Sequence, residues 1–594
     1  MSTPIIKKWL AAVLCVLALG STAAVAGPDT FYLGEGTENK TVSTIDTKIN
    51  TYAQVTADIT ANTKSIQVGP AVGAATSIHN GSLIMILQTT GIEPVPVSGD
   101  TAPINLNGKP VGTWELARVE NVSDSGSGAT LTLKEPLVRG YTKDVTQVIV
   151  VAEYATLTVS ASSSIIALPW DGKVGGVVAF LVQGALTIQG TTSTTRGRIS
   201  ANAAGFRGGA FKVDQFATTG CADLDQSSPS GGLKGEGIAN TKYGPDYAGR
   251  GNVANGGGGG VCSLSGGGGG AGAGTSSSPG TGVGAGAGGM GGNSVDDIPQ
   301  AGGLGGAALY FTESNRLMFG GGGGAGHGLT SPGQSAGNGG GIVFVRAGSL
   351  VGSGRFEATG ATPEQSANAG GGGGGGGTIH IRFAGNADCN SLEAGGGAGG
   401  GTTETDPGPG GGGGGGYVFF QAVGGTCSPK ASSIFLGNAG IPRSGTTTAK
   451  NGANGHFVWR KTGFVSVTPV IQTPTNGAVL RTPPTVISGT AEGNSTLTLE
   501  LTGPNGTTTY SLPVDNSTPG NWRLNQPTLP VLPDGTYTVT VRTTSVDGDT
   551  SPTVTSTFTV DTIAPTVAIT APANGRTSSQ EVTEVTGTAE PAAR

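Results

Sequence analysis

One stretch of the chain has the order of a hydrolytic machine: Gly333-Gln334-Ser335-Ala336-Gly337, followed later by Asp388 and His456. A G-x-S-x-G elbow needs its serine on a sharp turn between a strand and a helix, with an acid and a histidine further along. Here Asn338 and three glycines follow instead, a run that cannot start a stable helix. With 112 glycines among 594 residues, such matches also arise by chance. The same holds for the many G-x-G-x-x-G matches, which lack the strand and helix that would hold a phosphate. No Walker pattern exists, because neither Gly108-Lys109 nor Gly172-Lys173 is followed by Ser or Thr.

The remaining titratable groups point no more firmly to a reaction. His79, His327, His380 and His456 have no partner four residues away to complete a metal site, and His380 and His456 read as strand residues. The close acidic pairs are Asp223 with Asp225, Asp296 with Asp297, and Glu404 with Asp406. A polysaccharide-cleaving solenoid would set carboxylates beside Arg or Lys on one face; solvated loop charges are the plainer reading. Asp547, Asp549 and Asp561 lie near the end of a repeat, where calcium would stiffen an array. The adopted reading is no catalytic residue, no resident cofactor and no enzyme.

Targeting and redox signals are clearer. Lys7-Lys8, the apolar run Trp9–Leu19 and the triplet Ala24-Val25-Ala26 form a secretory signal, with cleavage expected after Ala26. No later segment is long or apolar enough to span a bilayer, so the mature chain is expected outside the cytosol without a transmembrane span. Cys15 leaves with the signal. Cys221, Cys262, Cys389 and Cys427 remain, an even number that suggests disulfides in an exported protein. Of three connectivities, pairing Cys221 with Cys262 and Cys389 with Cys427 closes one local loop each; four unpaired thiols are the alternative. A net charge of -6 and the lack of basic clusters beyond Lys7-Lys8 exclude nucleic acid as a partner.

Any such residue must be positioned by an unusual chain. Glycine is 112/594, about 19%, while aromatic residues are 5% and charged residues 12%. Neither salt-bridged helices nor a large aromatic core fits that composition, and the fold class is all-β. Residues 27–160 form an N-terminal β barrel or sandwich from segments such as Ser82–Leu87, Thr113–Val119, Ala129–Leu133 and Gln147–Val151. Trp114 and Trp170 read as packing residues.

Residues 161–462 carry the glycine runs, among them Gly320–Gly324, Gly370–Gly377 and Gly410–Gly416. Short apolar strands follow, starting at 342, 378, 417 and 456, an internal repeat of 36 to 39 residues. Secondary strands recur as Arg198-Ile199-Ser200-Ala201, Arg355-Phe356-Glu357-Ala358 and Ser391-Leu392-Glu393-Ala394. Units that cannot bury a face alone should stack like a solenoid. The runs themselves are either disordered spacers or packed polyproline-II-like strands whose bare backbones hydrogen-bond; their lack of linker-type residues favours order.

Past 465 the chain repeats at an offset of 98: Pro474-x-Asn476-Gly477 with Pro572-x-Asn574-Gly575, and Ser488–Glu492 with Thr586–Glu590. That length suits an Ig-like sandwich over 466–562 and the start of a second, shortened one over 563–594. Leu497, Leu499 and Leu501, then Tyr537, Val539 and Val541, alternate with polar residues as half-buried strands do.

Asp534–Val541, Phe558–Asp561 and Ala564-Pro565 resemble the bacterial Ig-like repeats of large surface adhesins. Gly410–Phe420 is similar to the glycine-rich extracellular region of anaplastic lymphoma kinase family receptors, without any kinase motif. With Gly112–Val119, Pro169–Gly176 and Gly205–Gly209, the whole layout resembles the myxobacterial exported proteins called adventurous gliding motility proteins, C type. That resemblance implies a role at the cell envelope linked to surface movement. The expected function is an exported surface protein with an Ig-like stalk, adhesin-like or structural, whose partner is a surface polysaccharide or envelope protein. The alternatives are a carbohydrate-active β-solenoid enzyme on exopolysaccharide and an extracellular ligand-binding module.

Overall fold

The computed structural model describes residues 31–589 apart from 193, 214–222, 228–230, 240–242, 245, 262–263, 275–285, 295–301, 312–315, 330–333, 389–390, 426–433, 445–447, 462–467, 494, 516, 518, 545–549 and 552. The strands of the repeat align side by side. A long parallel sheet runs in the order Asn39–Val42, Thr156–Val159, Val177–Ile188, Ile342–Gly352, Thr378–Phe383, Tyr417–Gln421 and His456–Arg460, with Ala152–Tyr154 also on Val177–Ile188. Ile342, Thr378, Tyr417 and His456 occupy one register row, so each repeat adds one strand at the same height. A second parallel sheet stacks Ser164–Ile166, Arg198–Ser200, Arg355–Glu357 and Ser391–Glu393.

Two cores explain why the long strands are apolar without alternation. Phe180, Val343, Ile381 and Phe420 pack toward Ile199, Phe356 and Leu392 of the short sheet. Leu181, Phe344 and Phe419 on the opposite face pack with Leu83, Met85 and Leu87 of the N-terminal region. A parallel strand covered on both sides loses the period-two signal.

The N-terminal region is a seven-stranded antiparallel sheet: Ser65–Val68, Ala129–Leu133, Trp114–Asp124, Leu83–Gln88, Thr146–Val150, Thr51–Gln54, Val72–Gly73. Of the expected barrel or sandwich, the barrel is corrected here, because this path is open. Its curl brings the ends to a single bridge between Val55 and Val68 around Ile66, Ile84, Val119 and Leu131. Strands on both sides of residue 160 belong to the long parallel sheet, and Ile104–Asn105 pairs with Leu309–Tyr310.

The glycine runs form an ordered bundle of polyproline-II-type strands, held by main chain alone. Within Gly370–Gly377, Gly370, Gly373 and Gly376 donate to the carbonyls of Gly408, Gly411 and Gly414. Gly372 and Gly375 donate to Gly324 and Gly321, while Gly374 and Gly377 donate to Ala361 and Ala358. Three further neighbours donate inward: Gly267, Gly270 and Ala273; Gly337 and Gly340; Gly397 and Gly400. This segment therefore has six neighbours, and its bonds return to the same neighbour every third residue. That is the signature of a left-handed helix with three residues per turn. Glycine is required here by closeness and not by φ: a Cβ on any of Gly372 to Gly377 would lie 1.9–2.2 Å from a backbone oxygen, and none of them has positive φ.

Where the bundle ends, side chains replace the missing neighbour. Asn454 Oδ1 accepts the N–H of Leu436 at 3.1 Å, Asn451 Oδ1 that of Ala439 at 2.7 Å, and Asn338 Oδ1 that of Gly208 at 2.8 Å. Thr362 and Thr448 hydroxyls do the same for Ala398 and Asn293. N–H groups at the rim are thus satisfied by side chains where the next strand is missing.

The C-terminal unit is a sandwich. Val470–Thr473, Val486–Ala491 and Gly520–Asn525 form one sheet. Ala478–Leu480, Val554–Val560, Gly535–Thr544, Thr496–Gly503 and Gly506–Pro513 form the other. Leu497, Leu499, Trp522, Val539 and Phe558 fill the space between, and the Tyr537 hydroxyl donates to the Pro533 carbonyl at 2.8 Å. Beyond it, Val567–Ala571 pairs with Thr586–Ala589 through 568–588, 569–587 and 571–586. Each pair is the image, at offset 98, of 470–490, 471–489 and 473–488.

Candidate functional site

Carboxylates and guanidinium groups meet on the outer face of the short parallel sheet. Parallel register stacks equal repeat positions: Arg198 beside Arg355, and Ser200 beside Glu357 beside Glu393. Ile199, Phe356 and Leu392, between them, point into the core. Period-two geometry therefore turns the flanking polar residues outward. Arg355 Nη2 lies 2.8 Å from Glu357 Oε1 and 3.1 Å from Glu393 Oε2. Asn202 Nδ2 donates to Glu357 Oε2 at 3.0 Å, and its own Oδ1 accepts the N–H of Thr359 at 2.8 Å.

Burial pushes the Glu357 carboxyl above the usual range; Arg355 opposes the shift and the Glu393 charge adds to it. Two carboxylates in unlike surroundings are the arrangement from which glycosidases draw an acid and a base. Glu357, however, is 2% exposed and both of its oxygens are engaged. In this state the group ties three strands together and offers no face to a glycosidic oxygen. The signal in sequence was the recurrence of Arg and Glu at equal repeat positions, whereas the pairs singled out by proximity lie elsewhere.

A second ladder crosses the long sheet. Phe344, His380 and Phe419 share a register row and stack, with ring centroids 5.4 and 4.7 Å apart. Arg346, Arg382, Gln421 and Arg460 form the next row of that face, and Arg382 Nε donates to Gln421 Oε1 at 2.8 Å. Burial, followed by the Arg382 and Arg346 charges, holds His380 well below its usual pKa. It is a neutral ring in an aromatic stack.

The residues singled out in sequence are dispersed. Ser335 Oγ accepts the N–H of Phe211 at 3.1 Å, while His456 stacks on Tyr417; Ser335 and His456 share no hydrogen bond. His327 is buried, with Nδ1 accepting the N–H of Leu264. Asp225 pairs with the buried Lys234, and Glu404 meets Arg443 at 3.5 Å on the surface. Trp170 is buried and donates to Glu236 at 3.1 Å; Trp114 packs edge-on to Phe344. Asp561 Oδ1 accepts the N–H of Ile563. Cys221, Cys262, Cys389, Cys427, Asp296, Asp297, Asp547 and Asp549 lie outside the described residues. Among the described residues no group of three His, Cys, Asp or Glu is placed to hold a metal, and no helix is long and apolar enough to cross a membrane. A cleft of about 120 Å³ lined by Pro70, Thr76, Ser77, Ile78 and Asp124 lies on the N-terminal region. It is smaller than the ~300 Å³ at which small-molecule sites begin.

Residues 474–562 match the bacterial Ig-like domain family, whose members are typical of surface and extracellular proteins. Among solved structures, the chain is similar to CopC from Methylosinus trichosporium OB3b, with 20% identity over 16% of this chain and 93% of that one, TM-score 0.14. It is also similar to the tailspike protein gp49 from Pseudomonas phage LKA1, with 11% identity over 88% of this chain and 83% of that one, TM-score 0.15. A comparison with curated proteins returns no match.

Proposed function

We propose that the chain is an exported, non-enzymatic scaffold of the bacterial surface, in which the glycine bundle and its parallel sheets form a stiff body and the Ig-like unit a stalk. The observation that carries this reading is the six-neighbour bundle around Gly370–Gly377, where the main chain has no room for side chains. Such a body suits load-bearing or adhesion through many weak contacts to envelope polysaccharide or protein. A link to gliding motility rests on the overall layout alone. The second reading, an exopolysaccharide-cleaving enzyme, rests on the Arg355–Glu357–Glu393 ladder and requires its internal bonds to open before a glycan could reach Glu357.

One experiment separates them. Antibody labelling of intact cells producing the chain is expected to find it outside, and the purified chain is expected to bind exopolysaccharide without shortening it. Shortening that disappears with both Glu357→Gln and Glu393→Gln would establish the enzyme; labelling confined to broken cells would remove the surface scaffold.

A further inference from the structure

The two edges of the long parallel sheet differ in kind. Asn39–Val42 ends the sheet with polar residues, and Lys40 pairs with Glu38 at 3.2 Å. Lysine and solvated side chains are how edge strands are kept from joining others. His456–Arg460 ends the sheet with Phe457, Val458 and Trp459, only half-buried, whereas its inner neighbour Tyr417–Gln421 is buried throughout; Lys461 follows the strand with its Nζ 4.2 Å from the Trp459 ring centroid, leaving the apolar stretch itself without a charge. Phe435 nearby is 46% exposed.

The backbone here is specific about what can cover it. His456 N–H bonds to the Gly416 carbonyl, and the Arg460 carbonyl accepts from Ala422. Alternation then aims the groups of 456, 458 and 460 at the inner neighbour, and leaves those of 457 and 459 on the free edge. Phe457 and Trp459 both face the inter-sheet core, and the indole N–H of Trp459 is buried without a hydrogen-bond partner.

We infer that this edge pairs with the same edge of a second copy, antiparallel about a two-fold axis through Val458. That register sets Phe457 opposite Trp459 of the second copy and the reverse. The two outward residues of each chain then exchange both of their hydrogen bonds, four in all, and the aromatic pairs extend the core across the axis. His456 falls opposite Arg460 of the second copy, and burial lowers the His456 pKa, which favours the uncharged ring beside the guanidinium. A self-complementary strand is what a closed two-fold dimer requires. The inference goes beyond the proposed scaffold role and stands whether or not that role is right.

The test uses the full chain in sedimentation velocity over a range of concentrations. The wild type is expected to run as a dimer. Phe457→Pro removes a donor that faces only the free edge, a substitution an edge strand tolerates. It should weaken the dimer at least about tenfold by removing two of the four bonds, while Phe457→Ala, which keeps the donor, weakens it less. Hydrogen-exchange protection retained over 417–421 shows that the variant is folded. Val458→Cys should form an intersubunit disulfide that the wild type does not, since opposed non-bonded pairs place their Cα atoms about 4.5 Å apart. A monomer at every concentration, a dimer indifferent to Phe457→Pro, or a dimer that Val458→Cys does not bridge would each overturn the inference.

Discussion

The glycine bundle and the Ig-like sandwich solve the same problem with opposite materials. In the sandwich, side chains such as Leu499, Trp522 and Phe558 fill the gap between two sheets, so hydrophobic burial drives cohesion. In the bundle nothing fills a gap because none exists; main chains lie close enough to bond directly, and the cohesive units are N–H and C=O groups. Side-chain cores tolerate exchange of one apolar group for another of like volume. A core of bare backbone has no smaller residue to fall back on, and every enlargement is a collision.

The sharpest way to break this contrast is Gly373→Ala. Its Cβ would sit 2.1 Å from the Gly397 carbonyl oxygen, and a cost above about 4 kcal/mol is expected. Hydrogen exchange read segment by segment should show protection lost over 321–324, 397–400 and 408–414 together. Unchanged protection would mean that the bundle yields like an ordinary core. Next in size, Leu499→Ala should cost about 2–5 kcal/mol, with protection lost across 486–560 and retained in the bundle. Spread of that loss into the glycine runs would show the two regions to be one cooperative unit.

Acid sharpens the comparison through His380. The folded state holds it neutral, and the unfolded chain takes up a proton near pH 6.5, so its contribution is full above that pH and declines as pH falls through it. The slope is at most about 1.4 kcal/mol per pH unit. His380→Phe, which continues the Phe344–Phe419 stack, should flatten the pH dependence of thermal unfolding between pH 6.5 and 5 in the sheet and leave the sandwich unaltered. Smallest is Asn454→Ala, which strips the cap from Leu436 N–H; about 1 kcal/mol and faster exchange confined to 434–440 are expected.

Much of this plan was readable in the residues. Strand starts at 342, 378, 417 and 456 share one register row, and the 98-residue offset reproduces the pairing of 470–490 at 568–588. Alternation found Leu497, Leu499 and Leu501 because that sheet has one wet face. It failed for Phe344 and Phe419, whose sheet is covered on both sides. The Glu357–Glu393 contact was hidden because it joins residues one repeat apart, and proximity in sequence picks out Asp223 and Asp225 instead. The Asn454 and Asn451 caps were not foreseeable: asparagine beside glycine reads as a turn unless the missing neighbour is known.

The bond pattern around Gly370–Gly377 also limits how this gene can change in length. Each residue is addressed to one of three directions in rotation, so deleting a single glycine turns everything after it by a third of a circle and hands each amide to the wrong strand. Only losses or gains in threes keep every address valid, which places on the runs a reading frame of their own, written in hydrogen bonds where codons impose theirs in bases.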